Sequence, residues 1–319
     1  RLAWGVGGAL AAVLLLALAA PRLLAPGPDA RPIASAHRPE PAGPAAIDKV
    51  RIGAKTFTEQ YILAAVIDER LRMVGLETER AESLGSTVVF DALKSSDVDV
   101  YVDYSGTVWA NYMKQTETPP RWRVLDEVEA WLAREHGVRS LGSLGFENAY
   151  ALAVRKDTAA ELGLRSIGDL SEHAGRLTMG ADYEFFGRPE WKSIRSGYRL
   201  GFADNKSMDS TLMYEALAAG DVDVISAFSS DGRIAEYQLV VLDDPLGVIP
   251  PYDALVLLSP RVANDRRVVE ALSPLLGAIE VATMRSANLM VDRQADKRTA
   301  NEAALWLLEQ AAIEAERPR

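Results

Sequence analysis

Short apolar runs alternate with amphipathic segments along most of the chain beyond residue 48. The apolar run at Lys49–Gly53 precedes a stretch in which apolar residues recur at helical spacing, namely Ile62, Leu63, Val66, Ile67 and Leu71. Thr56 and Glu59 have the spacing of a capping box at the start of that helix. Further strands are predicted near 77–82, 98–102, 150–154, 177–181 and 254–258, before a mainly helical tail over 265–314. This alternation predicts α/β lobes with largely parallel sheets.

One segment of the chain occurs twice. Ser86–Val100 returns as Ser210–Val224 with many positions unchanged, and each copy has the pattern of a short amphipathic helix, a polar turn and a buried strand. An aromatic residue follows shortly after each copy, Tyr104 in the first and Phe228 in the second. Because open α/β sheets bind ligands at the carboxyl ends of their strands, the repeat predicts two lobes that present matched rings to one cleft.

Two further aromatic residues, Tyr150 and Tyr252, each open an apolar strand. We interpret these two strands as the crossings between the lobes, so that the first lobe comprises 48–149 plus 253–319 and the second 150–252. Four rings then lie at strand ends or crossings. A cleft lined by ring faces suits a cation that cannot donate hydrogen bonds, such as quaternary ammonium. The alternative is that each ring simply packs within its own lobe.

The N-terminal region differs in composition from the rest. Residues 1–20 are almost uncharged after Arg1 and are typical of a signal peptide or a retained membrane anchor. Residues 21–47 are rich in proline, which predicts a semi-extended linker. Either interpretation of the first segment places the remainder outside the cytoplasm.

Composition and charge exclude several classes of protein. The 319 residues can hold two domains, and the net charge of −10 argues against a nucleic-acid partner. The chain has no cysteine, and its three histidines are not at metal-ligand spacing. It also lacks a G-x-S-x-G elbow and a phosphate-binding loop, so we expect no enzyme, no cofactor and no metal.

Several short segments, taken in order, resemble the osmoprotectant-type substrate-binding proteins of ABC transporters, which take glycine betaine, choline and related compounds. The segments that carry the resemblance are Ile52–Gln60, Tyr104–Thr107, Phe146–Leu152, Glu184–Arg188, Ser230–Arg233 and Pro250–Tyr252. The resemblance implies a type II-like periplasmic-binding-protein fold, with two Rossmann-like lobes joined by two crossing strands. It also implies a monomer in the periplasm, or otherwise outside the cytoplasm, that delivers its ligand to an ABC permease.

The resemblance assigns roles to seven residues. The family's four cage rings map onto Tyr104, Tyr150, Phe228 and Tyr252, and the residues that hold a ligand carboxylate map onto Lys55, Thr107 and Arg188. A betaine carries a carboxylate near its cation, and an arginine fork with a lysine suits that group.

Four features qualify this assignment. Phe228 stands where the family usually has Tyr, and Pro189–Trp191 replaces a common Asp-Gly pair. Asp253 follows Tyr252, and we expect it to point away from the cleft because adjacent strand residues face opposite sides. Arg188 could instead be a surface arginine lying over a helix.

The sequence favours capture of glycine betaine or a related quaternary amine. Choline, carnitine and a cationic amino acid remain alternative ligands, and a tethered or permease-fused receptor domain is an alternative setting.

Overall fold

The computed structural model describes Ile47 and residues 49–311. The predicted signal peptide or anchor at 1–20 lies outside the described residues, as does the predicted linker apart from Ile47. Among the helices of the described part, none has both the length and the apolar character needed to cross a bilayer.

The secondary structure follows the predicted alternation. The strands are β1 Lys49–Lys55, β2 Glu77–Leu84, β3 Val100–Tyr104, β4 Arg139–Glu147, β5 Tyr150–Arg155, β6 Thr178–Asp182, β7 Asp204–Met208, β8 Val224–Phe228, β9 Leu239–Leu242 and β10 Asp253–Leu258. The helices are α1 Thr58–Met73, α2 Ser86–Ser95, α3 Ser105–Thr107, α4 Arg121–His136, α5 Lys156–Leu162, α6 Pro189–Gly197, α7 Ser210–Ala219, α8 Arg233–Glu236, α9 Arg266–Leu272, α10 Val281–Asp292 and α11 Ala300–Gln310. A π-helical turn, Val108–Tyr112, continues α3, and short 3-10 helices lie at Ile167–Glu172, Ala174–Arg176, Phe185–Gly187 and Ser273–Leu275.

The strands form two five-stranded sheets of matching design, in the orders β2-β1-β3-β10-β4 and β7-β6-β8-β5-β9. The prediction of largely parallel sheets holds for four of the five strands in each sheet, which share one direction. The exceptions are β10 and β5, which are antiparallel to both of their neighbours. Each of these strands is the first one that the chain forms after it passes from one sheet to the other. Each therefore begins at the edge of the sheet where β3 or β8 ends, and runs in the opposite direction.

The chain passes between the sheets through two adjoining connections. Strand β5 lies entirely in the second sheet and β10 entirely in the first, so each begins at a crossing and does not span it. The connections meet where Asn148 N donates to Tyr252 O at 2.9 Å. We call the parts built on the two sheets the first and second lobes. The domain boundaries given above stay a prediction.

The internal repeat is a repeat of structure. Its copies are α2 with β3 and α7 with β8, and each helix ends on a left-handed residue, Ser96 (φ 63°) and Gly220 (φ 84°). The buried face of each helix packs against its own sheet, with Leu93 and Leu217 fully buried. The predicted helix–turn–strand pattern is confirmed in both copies.

Helix α1 buries the apolar face predicted for it. The predicted capping box is wrong, because the helix begins after Phe57 and has no side-chain cap. Glu59 is instead buried beneath the cleft, where its Oε1 accepts a hydrogen bond from the Tyr104 hydroxyl at 2.6 Å.

Candidate functional site

A cavity of about 360 Å³ lies between the two lobes, at the edge where β1, β3, β6 and β8 end. This volume is within the range of roughly 300–1,000 Å³ usual for small-molecule sites. The structure brings together all seven residues predicted from the sequence, which all line this cavity: Lys55, Tyr104, Thr107, Tyr150, Arg188, Phe228 and Tyr252.

Aromatic rings line the cavity as a continuous row. Tyr150 contacts Phe228 at 5.4 Å and Tyr252 at 5.9 Å between ring centroids, the latter pair edge to face. Phe57 stacks on Phe228 at 5.5 Å and on Tyr104 at 6.2 Å. The row therefore runs from Tyr104 through Phe57, Phe228 and Tyr150 to Tyr252.

Phe57 is a cavity residue that the sequence reasoning missed. It lies just beyond the end of β1 and is only partly buried, with its ring between two of the predicted rings. The sequence contained a signal for it, because Tyr104 and Phe228 were selected as rings at the carboxyl ends of strands and Phe57 lies two residues beyond the end of β1.

Buried carboxylates accept hydrogen bonds from two of the ring hydroxyls. Glu59 accepts from Tyr104 and also from the side-chain amides of Asn148 and Asn288, each at 2.9 Å. Burial raises the pKa of Glu59, and these hydrogen bonds oppose that rise. Glu190 accepts from the Tyr252 hydroxyl. These bonds fix the two rings and place acceptor oxygens behind them.

Glu190 lies in the second lobe and is also held from the first. Asn111 donates to its Oε1 at 3.0 Å. Because Asn111 follows β3 and Glu190 lies on α6, this contact bridges the lobes beside the cavity.

Lys55 is buried and already has a partner. Its Nζ lies 2.5 Å from Asp103 Oδ1 and 5.2 Å from the centre of the Tyr104 ring. Burial lowers the pKa of Lys55, and the charge of Asp103 opposes that shift. Lys55 therefore contributes to the wall as one half of an ion pair.

Arg188 is the cation with unused donors. It is 8% exposed, which excludes the surface-arginine alternative. Its Nη2 donates to Ser86 Oγ at 3.0 Å and pairs with Glu184. Its Nε and Nη1 have no hydrogen-bond partner among the described residues. The guanidinium lies 5.4 Å from the centre of the Tyr150 ring, so the free donors adjoin the aromatic row.

Glu184 connects the lobes on one side of the cavity. It accepts from Ser86 N at 3.1 Å and Ser86 Oγ at 2.8 Å, at the first residue of α2. Burial alone would raise the pKa of Glu184, but the charge of Arg188 and the Ser86 donors lower it to about 2. A helix N-terminus stabilises a carboxylate in this position.

The remaining residues follow the predicted pattern. Thr107 is buried and lines the cavity. Asp253 does not line it, and both of its carboxylate oxygens accept from Arg121 Nε, at 3.0 and 2.8 Å. The expectation that Asp253 points away from the cleft is confirmed.

The fold and the cavity together define a two-lobed solute-binding protein. Residues 48–310 match the model of the family described as the substrate binding domain of the ABC-type glycine betaine transport system, and the chain belongs to this family. The family and the relatives of the chain are transport binding proteins, so the prediction that the chain is not an enzyme is confirmed.

Individual relatives are moderately similar. The chain is 30% identical over 251 residues to the carnitine transport binding protein OpuCC of Listeria monocytogenes, covering 77% of this chain and 82% of the relative. It is 30% identical over 267 residues to the glycine-betaine-binding protein of Pseudomonas aeruginosa, covering 79% and 85%. It is 28% identical over 246 residues to the ergothioneine transport permease/ergothioneine binding protein EgtU of Helicobacter pylori, covering 76% of this chain but only 44% of that relative.

A solved structure supports the fold. A crystal structure described as a glycine betaine/carnitine/choline ABC transporter matches with a TM-score of 0.68 at 25% identity, covering 82% of this chain and 98% of that one. The predicted two-lobed fold class is thereby confirmed.

Proposed function

We propose that the chain captures a quaternary-ammonium betaine between its two lobes and delivers it to an ABC permease. The observation that carries this proposal is the row of rings beside the free donors of Arg188 in a single cavity. Such a cavity has one end for a cation without N–H groups and another for a carboxylate.

The aromatic end supports a cation. A quaternary ammonium cannot donate hydrogen bonds, so its affinity comes from ring faces and from removal of water. Phe57, Tyr150, Phe228 and Tyr252 form a continuous aromatic surface. Glu190 behind Tyr252 favours positive charge, because a nearby carboxylate attracts a cation through the poorly screened interior.

Arg188 supports a carboxylate at the opposite end of the ligand. Its Nε and Nη1 are buried donors, and leaving such donors unpaired is unfavourable. A ligand carboxylate would restore the missing hydrogen bonds, and charge-assisted bonds of this type are strong. Thr107 adds a hydroxyl nearby, whereas Lys55 is engaged by Asp103 and contributes less.

The relatives agree with this chemistry. Carnitine, glycine betaine and ergothioneine, the compounds in the names of the three relatives, all join a trimethylammonium group to a carboxylate. We therefore place the ligand in the betaine class. The Helicobacter name also joins a permease to a binding protein, which keeps a permease-fused receptor as an alternative setting for this chain.

Closure of the two lobes would complete the site. Ser86 in the first lobe contacts Arg188 and Glu184 in the second, so separating the lobes would open the cavity and free Arg188. We propose that the open form takes up ligand outside the cytoplasm and that the closed form is recognised by the permease.

A second candidate is a cation without a carboxylate, such as choline. The observation in its favour is that Glu184 already neutralises part of the Arg188 charge. In that case Arg188 and Glu184 would serve mainly to hold the lobes together.

Titration calorimetry of the full chain with glycine betaine, carnitine, choline and arginine tests the proposal. We expect the betaines to bind, and we expect Tyr150→Ala to weaken them by about 1–2 kcal/mol or more while Tyr150→Phe does not. Tight choline binding with no betaine binding would favour the second candidate. Binding of arginine alone would refute the quaternary-ammonium class.

A further inference from the structure

Asp182 is a cavity residue with an unused carboxylate oxygen. It is the last residue of β6, it lines the cavity, and it is 9% exposed. Its Oδ1 accepts from Glu184 N at 2.9 Å. Its Oδ2 is buried and accepts no hydrogen bond from any residue in the described ranges.

A structural role explains only one of these two oxygens. The Oδ1 bond shapes the turn that leads from β6 to Glu184, and an asparagine would serve that turn equally well. The second oxygen lowers the stability of the fold, because a buried acceptor without a donor loses its hydrogen bonds to water and forms none with the protein. Burial accordingly raises the pKa of Asp182.

Two donors lie near this carboxylate, the Arg188 guanidinium and the Tyr150 hydroxyl, but neither forms a hydrogen bond with Oδ2 in this structure. Arg188 also lines the cavity, but it forms no salt bridge with Asp182 and is paired with Glu184. The wall of the cavity thus contains unpaired buried donors on Arg188 and an unpaired buried acceptor on Asp182. A ligand that offers both an acceptor and a donor would complement these groups.

We propose that Asp182 selects, among quaternary-ammonium betaines, those whose tail carries an O–H or N–H donor. This inference rests on the proposed function, because it presupposes a betaine in the cavity. Glycine betaine has no such donor and would leave Asp182 Oδ2 unpaired. A hydroxylated betaine would bind through its carboxylate to Arg188 and through its hydroxyl to Asp182.

Two matched ligands isolate the effect of the donor. Carnitine and γ-butyrobetaine share the trimethylammonium group, the chain length and the carboxylate, and differ only by a hydroxyl. For the wild-type chain we expect carnitine to bind at least about tenfold more tightly, as for a hydrogen bond to a charged acceptor. Histidine betaine, which carries an N–H donor, and glycine betaine, which has none, extend the comparison.

Asp182→Asn is the decisive variant, because it keeps the shape and an oxygen for Glu184 N. With that oxygen so placed, its amide N–H₂ replaces the free acceptor by a donor. We expect the variant to weaken carnitine and histidine betaine at least about tenfold more than it weakens γ-butyrobetaine and glycine betaine. Asp182→Ala should abolish the preference for carnitine, and thermal unfolding checks that both variants are folded.

The outcomes separate the two proposals. Binding of γ-butyrobetaine and carnitine with equal affinity, unaltered in ratio by Asp182→Asn, would overturn the role of Asp182 and leave the betaine site standing. An equal loss for all four ligands in the variant would also overturn it. Failure of every betaine to bind the folded wild-type chain would overturn the proposed function itself.

Discussion

The ring of Phe57 provides the sharpest test of the aromatic site, because its role was not predicted from the sequence. Phe57→Leu keeps an apolar side chain of similar size and removes the ring face. The Phe57 ring stacks on Phe228 and Tyr104 at 5.5 and 6.2 Å, in the middle of the aromatic row. Because the position is only partly buried, the exchange should lower the free energy of unfolding by less than about 1.5 kcal/mol.

The effect on binding follows from the cation. A ring contributes about 0.5–1 kcal/mol to a cation at an exposed site and about 2 kcal/mol where water is excluded. The partly buried Phe57 lies between these limits, so we expect a loss of about 1–1.5 kcal/mol. That loss corresponds to a rise of about five- to twelvefold in Kd for glycine betaine.

The assay pairs glycine betaine with 3,3-dimethylbutanoate, in which carbon replaces the quaternary nitrogen. The two compounds have nearly the same shape, but only the first carries positive charge. Calorimetry of wild type and Phe57→Leu should show a loss for glycine betaine and little change for the neutral-headed analogue. Phe202→Leu is the matched control, since Phe202 packs on Trp191 and does not line the cavity. Equal losses for both compounds would refute the cation–π reasoning and leave only a packing role for Phe57.

Three further perturbations test other parts of the site. A Cβ on Gly106 would overlap the Tyr252 ring, so Gly106→Ala should weaken betaine binding at least about tenfold. Gly187→Ala is the control, because the space around Gly187 is open and its Kd should not change. Equal Kd values for the two variants would contradict the contact between Gly106 and Tyr252. Arg188→Lys removes the free guanidinium donors, so glycine betaine should lose at least about tenfold in affinity and tetramethylammonium less than about threefold, as measured by calorimetry. The pKa of Glu184 is lowered in the folded chain from 4.5 to about 2, so its contribution to stability is complete above pH 4.5 and is lost as the pH falls towards 2. Unfolding by urea across that window should show a smaller acid destabilisation in Glu184→Gln, and identical pH profiles would contradict the ion pair.

Features carried by local pattern could be predicted from the sequence. The repeat placed Tyr104 and Phe228 at strand ends. Tyr150 and Tyr252 were identified because each stands at the start of a predicted apolar strand. Hydrophobic periodicity reports burial and spacing, and these properties suffice to bring the rings to one edge. Periodicity does not report strand direction, which is why the antiparallel insertion of β5 and β10 was missed.

Pairings between distant residues could not be predicted in the same way. Glu184 meets Ser86, and Lys55 meets Asp103, only after the lobes and strands have assembled. The carboxylate-holding role implied for Lys55 took no account of that ion pair. The unpaired oxygen of Asp182 becomes evident only when the hydrogen bonds of the buried groups around it are known.

The two copies of the repeat have diverged at their helix N-termini in a way that suits a closing cleft. In the second copy Asp209 caps α7 locally by accepting from Thr211 N at 2.8 Å, a bond that survives any movement of the lobes. In the first copy the donors of Ser86 are taken by Glu184 from the opposite lobe. Opening would therefore leave α7 capped but would expose the start of α2. A local cap adds stability in both states, whereas a cap shared across the cleft adds it only when the lobes are closed. Because Glu184 also binds Arg188, the contact that favours closure also orients the proposed carboxylate-binding donors.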